Sequence, residues 1–155
     1  MDLHKCLLTE NDCYKAGRKI VPKGVMVHST GANNPNLRRY VGPDDGLLGQ
    51  NPNSNHWNMS GVGACVHAFI GRLADGSVAT YQTLPWTARG WHCGSGRKGI
   101  SANNTHISFE ICEDGLKDRD YFDLVYREAV DLTAYLCREY GLDPLEDGVV
   151  ICHQE

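Results

Sequence analysis

Short apolar runs, separated by stretches rich in Gly, Pro and Asn, alternate along this chain. Five runs of β-branched and apolar residues predict β-strands, at residues 25–29, 65–71, 77–83, 106–112 and 149–152. One long segment instead repeats its apolar residues every three or four positions, which predicts an amphipathic helix over residues 121–140. The repeating positions are Phe122, Val125, Tyr126, Ala129, Thr133, Leu136, Cys137 and Tyr140.

The ends of this helix are also marked in the sequence. Asp118 or Asp120 can cap its first turn, and Gly141 followed by Pro144 ends it. Strands before and after one long helix predict an α/β fold of the mixed α+β kind, with a central mixed β-sheet flanked by helices. The turn-rich residues 29–58 predict a long loop between the first two strands, a place where function is often carried.

Length and composition indicate one globular domain spanning residues 1–155. The chain has 41% apolar and 22% charged residues, and no run approaches the ~20 apolar residues of a membrane helix. The first residues do not resemble a secretory signal, so we expect synthesis in a cytoplasm. Seven cysteines without a C-x-x-C pair are expected to be reduced. The net charge of −4 disfavours a nucleic-acid partner, and the short basic loop "GSGRKG" does not change this.

Two histidines occupy matching positions at predicted strand ends. His28 follows "VMV" and His153 follows "VVIC", so each imidazole emerges from a rigid, buried strand. Zinc ligands must be held in place in this way, and His28 and His153 are therefore candidate metal ligands. Taken singly, either residue is equally compatible with a structural role.

A carboxylate stands in the middle of the predicted fourth strand, "HISFEIC". Alternation places Ile107, Phe109 and Ile111 on one face, and Glu110 on the other face together with Ser108. A charge buried in a sheet is costly unless it is paired or used. Glu110 is thus either a partner in a buried ion pair or a general base whose pKa is raised by desolvation.

The segment before this strand, "RGWHCGSGRKGISANN", combines aromatic, imidazole, amide and glycine residues. Trp91 can offer a stacking face to a sugar, and His92, Asn103 and Asn104 can offer hydrogen bonds. An ordinary loop, in which the asparagines only adopt turn conformations, explains the same residues.

Five ordered motifs together resemble a known family: "VMVHSTGANN", "VHAFIGRLADGSVATYQTLP", "GWHCGSG", "NNTHISFEIC" and "ICHQE". From about residue 24 onward the chain resembles the zinc-dependent N-acetylmuramoyl-L-alanine amidases of the endolysin, autolysin and peptidoglycan recognition protein superfamily. The resemblance implies Zn²⁺ as cofactor and bacterial peptidoglycan as substrate. It further implies hydrolysis of the amide between N-acetylmuramic acid and L-alanine, at the cell wall after release or lysis.

Carried over by position, the resemblance assigns roles to individual residues. It implies zinc ligands at His28 and His153, and the water-activating glutamate at Glu110. His92 matches a histidine that lines the substrate cleft, and His67 matches one on the second strand whose role stays open. Where some members have a tyrosine before that histidine, this chain has Val66.

The third zinc ligand of the family, a Cys or Asp eight to ten residues after the second histidine, has no counterpart here. We therefore expect a catalytic domain truncated at its carboxyl end and lacking a wall-binding domain, with Glu155 as an alternative ligand. A non-catalytic peptidoglycan-binding protein is the main alternative function, and a metal-dependent nuclease built on "NHWN" and "NNTH" is a remote one. A truncated sheet edge near His153 also predicts a homodimer.

Overall fold

The central element of the computed structural model, which describes residues 1–96 and 99–155, is a six-stranded mixed sheet. The strands are β1 (Leu3–Lys5), β2 (Gly24–Asn33), β3 (Ala68–Arg72), β4 (Val78–Gln82), β5 (His106–Glu113) and β6 (Val150–Cys152). Their order across the sheet is β1-β4-β3-β5-β2-β6, and all neighbours are parallel except β3 and β4. The predicted mixed sheet is confirmed. Arg97 and Lys98 of the predicted basic loop lie outside the described residues.

Two α-helices accompany the sheet, α1 (Asp12–Ala16) and α2 (Arg119–Tyr140). The prediction for α2 is confirmed to within two residues at its start. The Asp118 side chain accepts hydrogen bonds from the backbone N–H groups of Asp120 and Tyr121, and Gly141 ends the helix in the left-handed conformation at φ 63°. Both termini therefore follow from the sequence. The short elements β1 and α1 were not predicted.

The buried face of α2 differs in part from the predicted stripe. Tyr121, Val125, Ala129, Leu132 and Leu136 are buried against the sheet, whereas Phe122 and Tyr126 are 42% and 59% exposed. The positions that contact the sheet are three or four residues apart, and this row begins at Tyr121, one residue before the predicted row. The expectation that Phe122 and Tyr126 belong to the core is therefore wrong.

Alternation along β5 divides the interior into two layers, as predicted. Ile107 and Phe109 join the core beneath α2, and Ile111 packs against it. Cys112 belongs to the opposite core, which includes Phe69 and Tyr81 and is covered by residues of the long loop such as Leu37. The face of β5 that carries Ser108 and Glu110 is consequently the face away from α2.

The long segment between β2 and β3 has little regular structure, as the density of Gly, Pro and Asn indicates. Its described elements are a single 3₁₀ turn at Leu37–Arg39 and a series of side chain to backbone hydrogen bonds. Asp45 Oδ1, for example, accepts from the N–H groups of Leu47 and Leu48, and its Oδ2 accepts from the Tyr81 hydroxyl at 2.6 Å. These bonds fix the loop against the sheet.

The expectation that all seven cysteines are reduced is wrong for one pair. Cys13 and Cys65 form a disulfide, which connects α1 to the segment before β3 across 52 residues of sequence. Spacing alone does not reveal a pair so far apart. The other five cysteines are free. Cys112 and Cys137 are buried, Cys6 and Cys93 are partly buried, and Cys152 is exposed.

The helices of the described chain include none that is long and apolar enough to cross a membrane. β6 is an edge strand that pairs only with β2. Association into a homodimer through this edge stays a prediction.

The buried and exposed faces of α2 predict unequal effects of leucine truncation. Leu132→Ala removes a side chain with no exposed surface, and should lower the free energy of unfolding by about 2–5 kcal/mol. Leu124→Ala, the same change at a position 47% exposed, should cost less than about 1 kcal/mol. Urea titration followed by circular dichroism measures both, and equal losses would contradict the orientation of α2.

Candidate active site

The site begins with two side chains on adjacent parallel strands. In the β2–β5 pairing, His28 lies opposite Glu110. Side chains at paired positions project to the same face, and neighbouring strands are about 4.8 Å apart. His28 is 6% exposed and lies within β2, five residues before its end, so the expectation that it closes the strand is wrong. The sheet thus holds an imidazole beside a carboxyl group.

Three histidines from different parts of the chain meet at this position. His28 Nε2 lies 3.1 Å from His92 Nδ1, and His28 Nδ1 lies 3.0 Å from His153 Nδ1. Both neighbouring rings meet the His28 ring edge to face. His28 is the centre of the cluster because each of its ring nitrogens contacts a different histidine.

Burial keeps the inner histidines neutral. It lowers the pKa of His28 to about 4, with a smaller effect from His153, and lowers the pKa of His92 still further. A neutral imidazole has one nitrogen with a free lone pair, which can accept a hydrogen bond or bind a metal. His28 and His92 are therefore uncharged nitrogen donors at neutral pH.

Glu110 has the opposite shift. Burial, together with a smaller effect of the negative charge of Glu113, raises its pKa to about 7. Glu110 Oε2 is buried and has no hydrogen-bond partner among the described residues. The buried ion pair that was the structural alternative for Glu110 is absent from the described ion pairs. An unpaired carboxyl that titrates near neutrality can both take and give a proton.

His67, predicted to contact substrate, is fully buried behind the cluster. Its Nδ1 accepts from the Ser108 N–H at 3.0 Å, and its Nε2 lies 2.8 Å from the Ala88 carbonyl oxygen, to which it donates. Both ring nitrogens are thus bonded to protein. The His67 ring centroid is 6.5 Å from that of His92, so His67 supports the site from behind.

The two remaining predicted contacts lie outside the histidine cluster. Trp91 is half-buried against the core of Cys13, Cys65 and Leu84, and its backbone pairs with Cys65. Asn104 is exposed, and its Oδ1 accepts from Arg89 Nε at 2.7 Å. The structure brings together His28, His92, His153 and Glu110, whereas the described contacts of Trp91 and Asn104 are with other residues.

A groove of about 290 Å³ adjoins His153. Its walls come from the loop after His92, from the start of β5 and from β6, and include Cys93, Gly94, His106, Ile151 and His153. Its lining is mixed, with apolar residues such as Met26 and Ile151 beside the polar Thr105 and Glu155. A polar ligand in this groove would extend directly from the histidine cluster.

Comparison with known proteins decides the family. A family model described as N-acetylmuramoyl-L-alanine amidase matches residues 17–155, nearly the whole chain. The chain belongs to this amidase family. Comparison with curated proteins gives no match.

Solved structures agree on the fold of this amidase. A mutant of PlyL has a TM-score of 0.65 at 22% identity, with 99% of this chain and 83% of that chain covered. The catalytic domain of PlyG has a TM-score of 0.65 at 24% identity, with 99% of this chain and 79% of that chain covered. The catalytic domain of XlyA has a TM-score of 0.61 at 21% identity, with 99% of this chain and 85% of that chain covered. The shared architecture is thus that of the central mixed sheet with its helices.

The histidines of the site can be compared with the ligand geometry that a zinc ion requires. Two nitrogens bound to one tetrahedral zinc lie roughly 3.3 Å apart, close to the 3.0 Å between the Nδ1 atoms of His28 and His153. His92 cannot join them, because it faces the other nitrogen of His28. No group of three His, Cys, Asp or Glu residues within residues 1–96 and 99–155 is arranged for a metal. His28 and His153 therefore have the spacing of two of the four ligands of a tetrahedral zinc.

Glu155, the alternative third ligand, points elsewhere. Its Oε2 accepts a hydrogen bond from the backbone N–H of Cys152 at 2.8 Å, so the carboxylate is turned back onto the end of β6. Binding a metal would require this bond to be given up.

Sequence reasoning missed two residues that shape the amidase site. Ser108 is fully buried. Its N–H donates to His67 Nδ1, and its hydroxyl oxygen lies within hydrogen-bond distance of the same nitrogen. Gly90 has no room for a side chain, because an added Cβ would be 2.9 Å from His92 Cδ2. Alternation along β5 placed Ser108 on the site face, and "GWH" placed a glycine beside His92, so both signals were present in the sequence.

The environment of Glu110 predicts its titration in metal-free protein. Its carboxyl ¹³C signal should titrate with a midpoint near 7. The pKa of Glu110 in the folded state lies above the unfolded value near 4.5. The contribution of its protonated form to the free energy of unfolding is therefore complete below pH 4.5 and is lost as the pH rises through 7. Glu110→Gln should therefore gain unfolding free energy relative to wild type between pH 5 and 8. A midpoint near 4.5 would show that Glu110 is solvated or paired.

Proposed function

We propose that this chain hydrolyses the amide between the lactyl group of N-acetylmuramic acid and the L-alanine of the peptidoglycan stem peptide, with zinc as cofactor. Family membership supports the reaction class. The observation that carries the mechanism is the β2–β5 register, which sets Glu110, half-buried and without an ion-pair partner among the described residues, beside the histidine cluster. Water activation and metal binding thus share one face of the sheet.

Glu110 acts as the general base and then as the general acid. Its carboxylate takes a proton from the attacking water, whose oxygen bonds to the lactyl carbonyl carbon. As the C–N bond breaks, the same proton passes to the alanine nitrogen, which leaves as a free amine. A pKa near 7 suits both transfers, because the acid and base forms are then of similar abundance at neutral pH.

His28 and His153 would hold the zinc through their Nδ1 atoms. A bound zinc supplies a Lewis acid that polarises a carbonyl group and lowers the pKa of water. His28 is fixed for this task by its place within β2 and by its contact with His92. His153, just past β6, is more exposed and adjoins the groove.

Substrate contacts are assigned to His92, Trp91 and Asn104, with His67 supporting His92 from behind. The groove beside His153 has a mixed apolar and polar lining, which suits the alkyl and amide groups of a stem peptide. We place the stem peptide along this groove, with the reacting amide at the histidine cluster.

A second candidate function is peptidoglycan binding without cleavage. The observation in its favour is that, among the described residues, His28 and His153 have the spacing of zinc ligands but no third ligand is arranged with them. Muropeptide binding by the wild-type chain, with no cleavage in the presence of zinc, would establish this function in place of the first.

Replacing the proposed base tests the reaction directly. Glu110→Gln keeps the size of the side chain but cannot take a proton, and should lower the rate of amine release from purified peptidoglycan about 10²–10⁴-fold. Glu113→Gln, the same change three residues along β5, is the matched control and should keep most of the activity. Equal rates for wild type and Glu110→Gln would remove Glu110 from the mechanism.

Zinc binding has its own test, which needs no activity. Titrating chelator-treated protein with zinc should shift the ring signals of His28 and His153 together in a ¹H–¹⁵N NMR spectrum. His28→Asn should abolish the response, and His4→Asn, on the distant strand β1, should leave it unchanged. Zinc uptake that is the same in His28→Asn as in wild type would refute this ligand pair.

A further inference from the structure

We propose that Asn103 is a positioning residue that holds His92 against His28. This inference rests on the proposed function for its consequence in catalysis, although the structural relation stands without it. Asn103 is 7% exposed and lies in the 3₁₀ turn Ala102–Asn104 that leads into β5. A buried amide at this place requires bonding partners, and all of those described for its side chain lie in the His92 loop.

The Asn103 side chain binds the backbone of two consecutive loop residues. Its Oδ1 accepts from the N–H groups of His92 at 2.8 Å and Cys93 at 3.2 Å. Its Nδ2 donates to the Cys93 carbonyl oxygen at 2.8 Å. The amide therefore bonds residue 93 through both its N–H and its C=O, as a neighbouring β-strand would.

No other described hydrogen bond is made by the backbone groups of His92 and Cys93, and the Cys93 thiol adds only a contact of 3.5 Å with Ser101 Oγ. Trp91 pairs with Cys65 on one side, and Gly96 donates to the Ile100 carbonyl on the other. Between them, the backbone bonds of His92 and Cys93 within the described chain all go to Asn103. Loss of the amide would free the two residues that set the direction of the His92 ring.

The position of that ring is narrowly defined. His92 Nδ1 lies 3.1 Å from His28 Nε2, and Gly90 leaves room for His92 only because it has no side chain. His92 Nε2 is buried without a hydrogen-bond partner among the described residues, although the His106 backbone lies close enough to raise the pKa of the ring. The bonds from Asn103 to the His92 loop therefore act on the backbone from which this ring projects.

Asn103 also connects this loop to the strand that carries Glu110. It lies three residues before His106, where β5 begins, and its own N–H donates to Ser101 Oγ at 3.3 Å. One continuous segment therefore fixes both the carboxyl group and the histidine of the site. An amide is needed here, because aspartate cannot donate to the Cys93 carbonyl and leucine can neither donate nor accept.

Two substitutions separate positioning from general stability. Asn103→Leu fills a similar volume and removes all three backbone bonds, whereas Asn103→Asp keeps the two accepted bonds and loses the donated one. We expect kcat/KM on purified peptidoglycan to fall about 10²-fold in Asn103→Leu and by less in Asn103→Asp. The Asp variant also keeps the test open if the Leu variant does not fold.

Asn11→Leu is the matched control. Asn11 is also a buried asparagine with three backbone bonds, to Cys13, Trp57 and Ala64, none of them in the His92 loop. It should lose comparable stability and, per folded molecule, keep wild-type kcat/KM. An equal loss of kcat/KM in Asn11→Leu would mean that stability alone explains the effect of Asn103.

A double-mutant cycle with His92→Ala identifies the residue through which Asn103 acts. In the His92→Ala background, Asn103→Leu should change kcat/KM by less than about threefold, because the ring that it positions is gone. The same 10²-fold loss in both backgrounds would overturn the proposal.

An NMR measurement separates this inference from the proposed function. The contact between the His28 and His92 rings should be seen in wild type and Asn11→Leu, and should be lost in Asn103→Leu. If wild type cleaves no peptidoglycan but the ring contact behaves in this way, positioning stands and the proposed function fails. If the ring contact persists in folded Asn103→Leu, positioning is wrong whatever the activity.

Discussion

The parallel register between β2 and β5 is the constraint on which the site depends. It places His28 opposite Glu110, and the continuation of the sheet through β6 brings His153 to the other side of His28. A shift of one residue in either pairing would turn one of these side chains toward α2. The core beneath α2, with Ile107 and Phe109 packed on Leu132 and Leu136, prevents that shift because it would expose the apolar face. Packing on one face of the sheet therefore fixes the chemistry on the other.

Burial has opposite effects on the two kinds of group in the site, and both effects suit an amide hydrolase. It lowers the pKa of His28 to about 4, so that its nitrogens are free of charge at neutral pH, and raises the pKa of Glu110 to about 7, so that it can exchange a proton. The same low-dielectric surroundings cause both shifts. Residues that make no proposed contact with the reacting amide have a separate function around the His92 ring. Asn103 bonds the His92 backbone, Gly90 leaves space for the ring, and His67, which Ser108 bonds, lies behind it.

Period and composition were sufficient to predict five of the six strands, α2 and its caps, because alternation on β5 and Asp118 before the helix are local signals. The phase of α2 was predicted less well: Phe122 and Tyr126 have the apolar character of core residues, and only the docking angle of the helix makes them exposed. Pairings across long sequence distances could not be read from the chain. The Cys13–Cys65 disulfide is such a pairing. The bond from Asn103 to His92 spans fewer residues but also depends on the tertiary structure. For the site, His28, His153 and Glu110 were found because they lie in predicted strands or directly after one, whereas the bonds of His67 to Ser108 and Ala88 could not be predicted.

The most direct test of the account is the identity of the bond that the protein breaks. Purified peptidoglycan incubated with the wild-type chain and zinc can be separated into soluble products and analysed by mass spectrometry. The account predicts intact glycan strands that end in free lactyl carboxyl groups, together with stem peptides whose first residue is L-alanine with a free amine. New reducing sugar ends, or cleavage between stem-peptide residues with the lactyl–alanine amide left whole, would contradict it.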